Sequence, residues 1–187
     1  MVFSGGPLQE VAIEQVELPD GRVVTDYYSV RMPDFALVFA ELDDHRVPMF
    51  RQYKHGLGRI CLTFPGGALE PGETPLVAAQ RELLEELGLR ATLWHSLGSF
   101  TTNANQGCNR AHLFHAAGCV RVADPVSPDL EEVELVLIEP EALLVPGRLD
   151  EIGLTSHVAL LMLATHPRRA QLTRSSPLPR RSAPHGA

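Results

Sequence analysis

The stretch from Gly66 to Leu89, GGALEPGETPLVAAQRELLEELGL, constrains this chain more than any other. It predicts a glycine loop that leads into a helix, with Thr74 as the N-cap, Pro75 at the first helical position and Gly88 at the end. Apolar residues recur at spacings of three and four, which gives the helix one face that can pack on a core: Leu76, Ala79, Leu83 and Leu87. The opposite side is acidic.

Three carboxylates project from nearly the same side of the last turns of this helix: Glu82, Glu85 and Glu86. Like charges at this spacing cost an isolated helix about 0.2 to 0.5 kcal/mol per pair, and a helix C-terminus disfavours anions further. Arg81 can offset part of this by pairing with Glu85, four residues on. A divalent cation would offset more, because hard ions such as Mg²⁺ take oxygen ligands and the glycine backbone lets an ion approach.

The same residues resemble a known family. Gly67, Glu73 and the run from Arg81 to Leu89, RELLEELGL, match the Nudix box of the Nudix hydrolases at every specified position. The resemblance implies an α/β (α+β) fold, the αβα sandwich of the family with a mixed β-sheet. It also implies metal-dependent hydrolysis of nucleoside diphosphates linked to another moiety. The competing interpretation is a solvated amphipathic helix with an acidic face.

By this resemblance, one glycine loop and one helix supply the metal ligands: the carbonyl oxygen of Gly66 and the carboxylates of Glu82, Glu85 and Glu86. Arg81 would orient these carboxylates, and Glu82 and Glu85 would also take part in catalysis. Metal ions neutralise charge on pyrophosphate oxygens and make a water nucleophilic. Mg²⁺ is therefore the expected cofactor, with Mn²⁺ as the alternative.

Three further residues of the box are expected to maintain its shape: Gly67, Glu73 and Gly88. Glu73 would brace the loop against the helix. A carboxylate must also take the proton of the attacking water. The resemblance leaves two sources for this base, a box glutamate or the later acidic stretch SPDLEEVE, whose candidates are Asp129, Glu131 and Glu132. The alternative for each of these three is a solvated acidic loop.

Outside the box, the order of elements from about Val16 to Ala164 resembles the branch of ADP-ribose and nucleoside-diphosphate-sugar pyrophosphatases. The segments DGRVVTDYYSV, MFRQYKHG and FPGG carry this resemblance. It implies an N-terminal antiparallel β subdomain over residues 1–46 that helps to form a homodimer, and a hydrolase core over 47–166. Arg51 would contact a substrate phosphate, or else is a surface arginine. Tyr53 could stack on a base.

One position departs from this branch. ADP-ribose-specific members carry a proline about sixteen residues beyond the box, where this chain has Asn105. The expected reaction is cleavage of ADP-ribose or a related sugar nucleotide into a nucleoside monophosphate and a sugar phosphate. The alternatives are a Nudix-like nucleotide-binding module that no longer cleaves, and a hydrolase of dinucleoside polyphosphates or RNA caps.

Composition limits the kinds of partner that this chain can bind and indicates its cellular location. The net charge is −7, although the last 22 residues contain five arginines and no acid, so the rest of the chain is more acidic still. That balance disfavours broad nucleic-acid binding. Residues 167–187, rich in Arg, Ser and Pro, are expected to be disordered. The odd number of three cysteines, and the lack of a leader or an 18-residue apolar run, predict a cytoplasmic protein without a membrane span.

Apolar patterning predicts a mixed sheet flanked by helices. A second helix is expected over Asp150–Thr165, with Leu154, Val158, Leu161 and Met162 on one face. A short helix is expected to begin at Pro140. The expected strands are Val11–Glu17, Arg22–Met32, Asp34–Leu42, Val47–Tyr53, Ile60–Phe64, Ala91–Phe100, Ala111–Val122 and Glu134–Ile138.

Overall fold

The structure is a computed structural model that describes residues 3–6, 9–126 and 133–167 of the 187-residue chain. Two α-helices lie in these ranges, α1 at Pro75–Leu87 and α2 at Thr155–Thr165. Short 3₁₀ helices span His55–Leu57, Pro140–Leu143 and Leu149–Glu151. The strands are β1 Phe3–Ser4, β2 Glu10–Glu17, β3 Val23–Arg31, β4 Phe35–Ala40, β5 Val47–Lys54, β6 Arg59–Thr63, β7 Gly66–Ala68, β8 Leu89–Thr101, β9 Arg110–Arg121 and β10 Val133–Ile138.

The strands form three sheets. The central sheet has the order β7-β4-β9-β8, and it is mixed because β4 and β9 run parallel while the other neighbours are antiparallel. A second, antiparallel sheet has the order β10-β5-β6. The N-terminal sheet is antiparallel, with the order β1-β2-β3. The last strand of this N-terminal sheet ends at Arg31. The next strand, β4, also lies within residues 1–46 but belongs to the central sheet.

Strand β4 separates the two halves of the core. Its side chains alternate as in any strand, so Ala36, Val38 and Ala40 pack in the cluster that contains α1. Leu37 and Phe39 point the other way, into the cluster that contains α2. One helix therefore covers each face of the central sheet, and the predicted fold class is confirmed.

The ends of α1 follow the predicted capping pattern. The Thr74 hydroxyl accepts a hydrogen bond of 3.4 Å from the Val77 N–H. Gly88 adopts the left-handed conformation at φ 65°, where its N–H reaches the carbonyls of Leu83 and Leu84. The buried face differs by one position from the prediction, because Ala78 is buried and Leu76 is 39% exposed.

The prediction of a helix from Asp150 was wrong. The chain forms a 3₁₀ turn at Leu149–Glu151, Gly153 then takes φ 72°, and α2 starts only at Thr155. The predicted apolar face was also wrong, since Met162 is 49% exposed. Apolar residues surround most of this helix, so their spacing does not select a face. The buried residues of α2 are His157, Leu160, Leu161 and Ala164.

Gly66 and Gly67 lie in a strand and not in the predicted loop. Strand β7 pairs with β4, with Gly66 opposite Leu37 and Ala68 opposite Phe35. No helix within the described residues is long and apolar enough to cross a membrane. Two predicted features fall outside the described residues: the acidic candidates Asp129, Glu131 and Glu132, and the tail from residue 168 onward.

Candidate active site

Strand β7 and the last turns of α1 lie against each other. The Gly66 N–H donates a hydrogen bond of 2.8 Å to Oε2 of Glu86. Gly66 has φ 149°, and a Cβ there would lie 2.1 Å from the carbonyl oxygen of Ala36. A Cβ on Gly67 would lie 2.2 Å from Oε1 of Glu82. Two carboxylates therefore pack directly on glycine backbone. A Cβ at Gly66 would clash with the backbone of β4, and a Cβ at Gly67 would displace the Glu82 carboxylate.

Arg81 is the centre of a network that links the glycine strand, the following loop and α1. Its guanidinium donates to both carboxylate oxygens of Glu73, from Nε at 3.0 Å and from Nη2 at 3.1 Å. Nη1 donates to Glu82 at 2.7 Å and to Glu85 at 3.2 Å. Nη2 also donates to the carbonyl of Ala68 at 3.0 Å. One side chain thus sets the relative positions of two of the three box carboxylates.

The pKa values of two glutamates in this network, Glu73 and Glu82, shift in opposite directions. The hydrogen bonds from Arg81 lower the pKa of Glu73, and in turn Glu73 raises the pKa of Arg81 above its ordinary value. Burial raises the pKa of Glu82 even though Arg81 acts in the opposite direction. The Glu82 carboxylate is therefore incompletely compensated by its protein neighbours, and a further positive charge would stabilise its ionised form.

The donor set suits a hard cation. Glu82, Glu85 and Glu86 offer only oxygen atoms, which are the ligands that Mg²⁺ and Mn²⁺ accept. Within the described residues, no three His, Cys, Asp or Glu side chains already converge on one point. Glu82 and Glu85 turn instead toward Arg81, and Glu86 turns toward the Gly66 N–H. Binding an ion here requires these carboxylates to reorient or to share their oxygens.

The predicted substrate residues Arg51 and Tyr53 lie on β5, two positions apart and hence on one face of the second sheet. Arg51 pairs with Glu134 of β10 at 3.4 Å, and both side chains are well exposed. Tyr53 is 43% exposed. The opposite face of β5 is buried at Gln52, which bonds to Thr63.

A cavity of about 400 Å³ opens between the last residues of β8, the first residues of β9 and the start of α2. Its lining combines apolar side chains with four hydroxyl groups: Phe100, Thr101, Thr102, Ala111, Leu113, Leu154, Thr155, Ser156 and Ala159.

The loop that follows β8 contains Asn105, whose carbonyl accepts a hydrogen bond from the Tyr27 hydroxyl of β3. The position that departs from the branch pattern is thus tied to the N-terminal sheet.

The sequence analysis missed His157. Its Nδ1 accepts a hydrogen bond of 2.9 Å from the Phe64 N–H, across 93 residues of chain. Burial lowers the pKa of His157 to about 3, so the ring is neutral. A lone histidine in an apolar helix carries no sequence signal for such a contact, because the contact exists only once α2 packs on the sheet.

Comparison with known proteins places this site in a family. A profile of the NUDIX domain matches residues 31–157, which include β7, α1 and His157. The chain belongs to the Nudix hydrolase family. The family generally uses a divalent metal ion, which agrees with the donor set on α1. The roles of the individual residues stay predictions.

Three of the most similar proteins extend this comparison. The methanol dehydrogenase activator of Bacillus methanolicus is 32% identical over 74% of this chain and 76% of its own length. The ADP-ribose pyrophosphatase of Mycobacterium tuberculosis is 34% identical over 60% of this chain, and the match spans 54% of that protein. A crystal structure of an ADP compounds hydrolase superposes with a TM-score of 0.66 at 20% identity, over 87% of this chain and 92% of that chain, which shows a shared fold.

Proposed function

We propose that this Nudix hydrolase cleaves the pyrophosphate bond of a nucleoside diphosphate linked to a sugar, either ADP-ribose or a related compound. The products would be a nucleoside monophosphate and a sugar phosphate. The observation that supports this best is the complete acidic set of α1 beside the glycine backbone of β7. Arg81 bonds to Glu82 and Glu85, and the Gly66 N–H bonds to Glu86. The 34% identity to an ADP-ribose pyrophosphatase supports the substrate class.

Mg²⁺ is the proposed metal, with Mn²⁺ as the alternative. The proposed ligands are the carboxylates of Glu82, Glu85 and Glu86 and the carbonyl of Gly66. When bound, the ion supplies charge neutralisation on the pyrophosphate oxygens and an activated water. Arg81 orients Glu82 and Glu85, and Glu73 holds Arg81 through both carboxylate oxygens. Arg81 compensates the burial of Glu82 only in part, and this favours a further cation at this place.

The general base has two proposed sources. Glu85 is the box candidate, because its side chain is 48% exposed and can therefore meet a water, whereas the Glu82 side chain is only 12% exposed. The other candidate is Glu132, or else Asp129 or Glu131 of the same acidic stretch of sequence, and all three lie outside the described residues. Either carboxylate would take the proton from the attacking water.

Substrate contacts are proposed for β5. Arg51 would bind a phosphate, and its exposed pairing with Glu134 is weak enough to be exchanged for one. Tyr53 would offer its exposed ring to the base. Since Asn105 replaces the proline of ADP-ribose-specific enzymes, a related sugar nucleotide or a broad preference is included in the proposal.

We also propose a homodimer in which the N-terminal sheet takes part. Ile13 of β2 and Tyr28 of β3 lie directly opposite each other and are 42% and 58% exposed. Such a pair presents apolar surface that a second copy could cover.

A cytoplasmic location is also proposed. The three free cysteines agree with a reducing cytoplasm.

The test is a substrate panel with the purified full chain and Mg²⁺, repeated with Mn²⁺. The panel contains ADP-ribose, ADP-glucose, GDP-mannose, NADH, diadenosine polyphosphates and nucleoside triphosphates, and the products are separated by anion-exchange chromatography. We expect one or more sugar nucleotides to be cleaved fastest. Preferred cleavage of diadenosine polyphosphates would contradict the substrate class. Metal binding without any cleavage would favour a nucleotide-binding module.

A further inference from the structure

Three consecutive residues before the acidic helix are each held by a different element. The Phe64 N–H donates to Nδ1 of His157 on α2 at 2.9 Å. The Pro65 carbonyl accepts from the Val38 N–H of β4 at 2.9 Å. The Gly66 N–H donates to Glu86 of α1 at 2.8 Å. The backbone that reaches the proposed metal site is therefore fixed from three directions, and His157 is the α2 contribution.

We propose that His157 is a positioning residue, which fixes the backbone at Phe64 so that Gly66 and Gly67 meet the carboxylates of α1 in the geometry needed for metal binding. The proposal rests on the proposed function of these carboxylates as metal ligands. It adds a residue outside the box whose effect is transmitted entirely through the chain from Phe64 to Gly67.

The break between two strands explains why this contact is needed. Strand β6 ends at Thr63, the last of its residues that pairs with β5, and β7 begins at Gly66. Phe64 lies in the gap and is only 2% exposed. A buried N–H must find an acceptor. The imidazole of His157 supplies it where the sheets do not.

The His157 ring holds the Phe64 side chain as well as its backbone. The two rings stack with centroids 6.1 Å apart and planes 16° from parallel. Phe64 packs in turn against Phe39 of β4, with centroids 5.7 Å apart. His157 is buried and neutral, so one ring nitrogen accepts a hydrogen bond and the other carries the proton.

A small displacement at Phe64 would reach the carboxylates directly. Gly66 is two residues away and bonds to Glu86. Gly67 has no spare room, since even an added methyl group would fall 2.2 Å from Glu82. A shift of this backbone therefore moves two of the proposed ligands relative to Gly66, and the expected consequence is weaker metal binding.

The experiment separates the two contributions of His157 in the full chain. His157→Phe keeps a stacking ring and removes the acceptor. His157→Asn removes the ring and keeps an acceptor at the position of Nδ1. Leu160→Ala is the matched control, because Leu160 is fully buried on the same helix and its side chain has no atom that can accept a hydrogen bond from the Phe64 N–H. Mn²⁺ affinity is measured by electron paramagnetic resonance, and the exchange of the Phe64 amide is measured by NMR.

We expect His157→Phe to weaken Mn²⁺ binding by about 10- to 100-fold, the range for partners that orient metal ligands, and to speed up exchange of the Phe64 amide. His157→Asn should recover most of the Mn²⁺ affinity. Leu160→Ala should lower the melting temperature and leave the Mn²⁺ affinity within about twofold of the original. Unchanged Mn²⁺ affinity in His157→Phe, or an equal loss in Leu160→Ala, would overturn the proposal.

Two further arms keep the test decisive. If His157→Phe does not fold, His157→Leu repeats the removal of the acceptor with a smaller side chain. If neither folds, the original protein provides the test, because fast exchange of the Phe64 amide in the native state would contradict the hydrogen bond. Absence of Mn²⁺ binding in the original protein would instead contradict the proposed function, and so the two failures are distinguishable.

Discussion

Arg81 and Glu73 are joined by two hydrogen bonds, of 3.0 Å from Nε to Oε1 and of 3.1 Å from Nη2 to Oε2. Both side chains are mostly shielded, at 23% and 9% exposure, so the pair is better protected from screening than a surface ion pair. The same guanidinium bonds to Glu82 and Glu85. Glu73 therefore determines the orientation of the group that orients the two carboxylates.

Replacing Glu73 with Gln should destabilise the fold, because a neutral amide offers one acceptor in place of two charged ones. We expect a loss of about 1.5 to 3 kcal/mol, the range for a hydrogen bond to a charged group, together with reduced turnover. Urea unfolding followed by circular dichroism measures the loss. Glu70→Gln is the control, since Glu70 bonds to Glu73 through its backbone N–H and carbonyl, which this substitution leaves in place. Equal stability of the two variants would contradict the bracing role of Glu73.

The contribution of Glu73 should also depend on pH. Its pKa in the folded protein is lowered from the ordinary value of 4.5 by Arg81. The folded state then binds fewer protons than the unfolded state, so this stabilisation is complete above about pH 4.5 and is lost as pH falls through the folded pKa. The difference in unfolding free energy between the original protein and Glu73→Gln should shrink on acidification below that value. A constant difference would count against the pair.

Replacing Glu86 with Gln should abolish most turnover and leave the fold intact. The amide oxygen can still accept the hydrogen bond from the Gly66 N–H, but a neutral amide is a poorer ligand for Mg²⁺. We expect kcat/KM to fall by at least about 10- to 100-fold. The control is Glu139→Gln, a change at an exposed residue away from the box. Full activity of Glu86→Gln in Mg²⁺ would remove Glu86 from the ligand set.

Adding a single methyl group at Gly67 should impair activity more than stability. The new Cβ would lie 2.2 Å from Oε1 of Glu82, at the flexible end of a side chain, so the carboxylate moves and the backbone is spared. Gly56→Ala is the matched control, because a Cβ at Gly56 meets no atom within 4 Å. We expect a loss of activity of about 10-fold or more in Gly67→Ala and near-original activity in Gly56→Ala. Steady-state kinetics and melting temperatures of both variants provide the comparison.

Buried His157 should make the protein less stable in acid. Its pKa is lowered from 6.5 to about 3 on folding, so between these values the unfolded state binds the proton and the folded state does not. The free energy of unfolding then falls with decreasing pH by about 1.4 kcal/mol per unit from this group alone. His157→Asn has no such titration. The two proteins should therefore converge in stability as pH falls from 6.5, and a constant offset would contradict a neutral buried ring.

The structure also shows which local features the sequence predicted correctly. The caps of α1 at Thr74 and Gly88 depend on neighbours within five residues, and both were predicted correctly. The start of α2, next to Gly153, was not predicted correctly. A nearly continuous apolar run gives no sign of where this helix begins or which face is buried. Gly66 and Gly67 were expected in a loop, yet they pair with β4, which lies about thirty residues earlier in the chain.

The sequence by itself determined the family, the fold class and the acidic set of α1, since these follow from residue types at fixed short spacings. Only the tertiary structure decided what each group contacts. It placed Glu86 on the Gly66 N–H, Glu82 against Gly67, and His157 on the Phe64 N–H, across 20, 15 and 93 residues respectively. Such contacts arise from the packing of helices on a shared sheet, and no local pattern records which side chains that packing brings together.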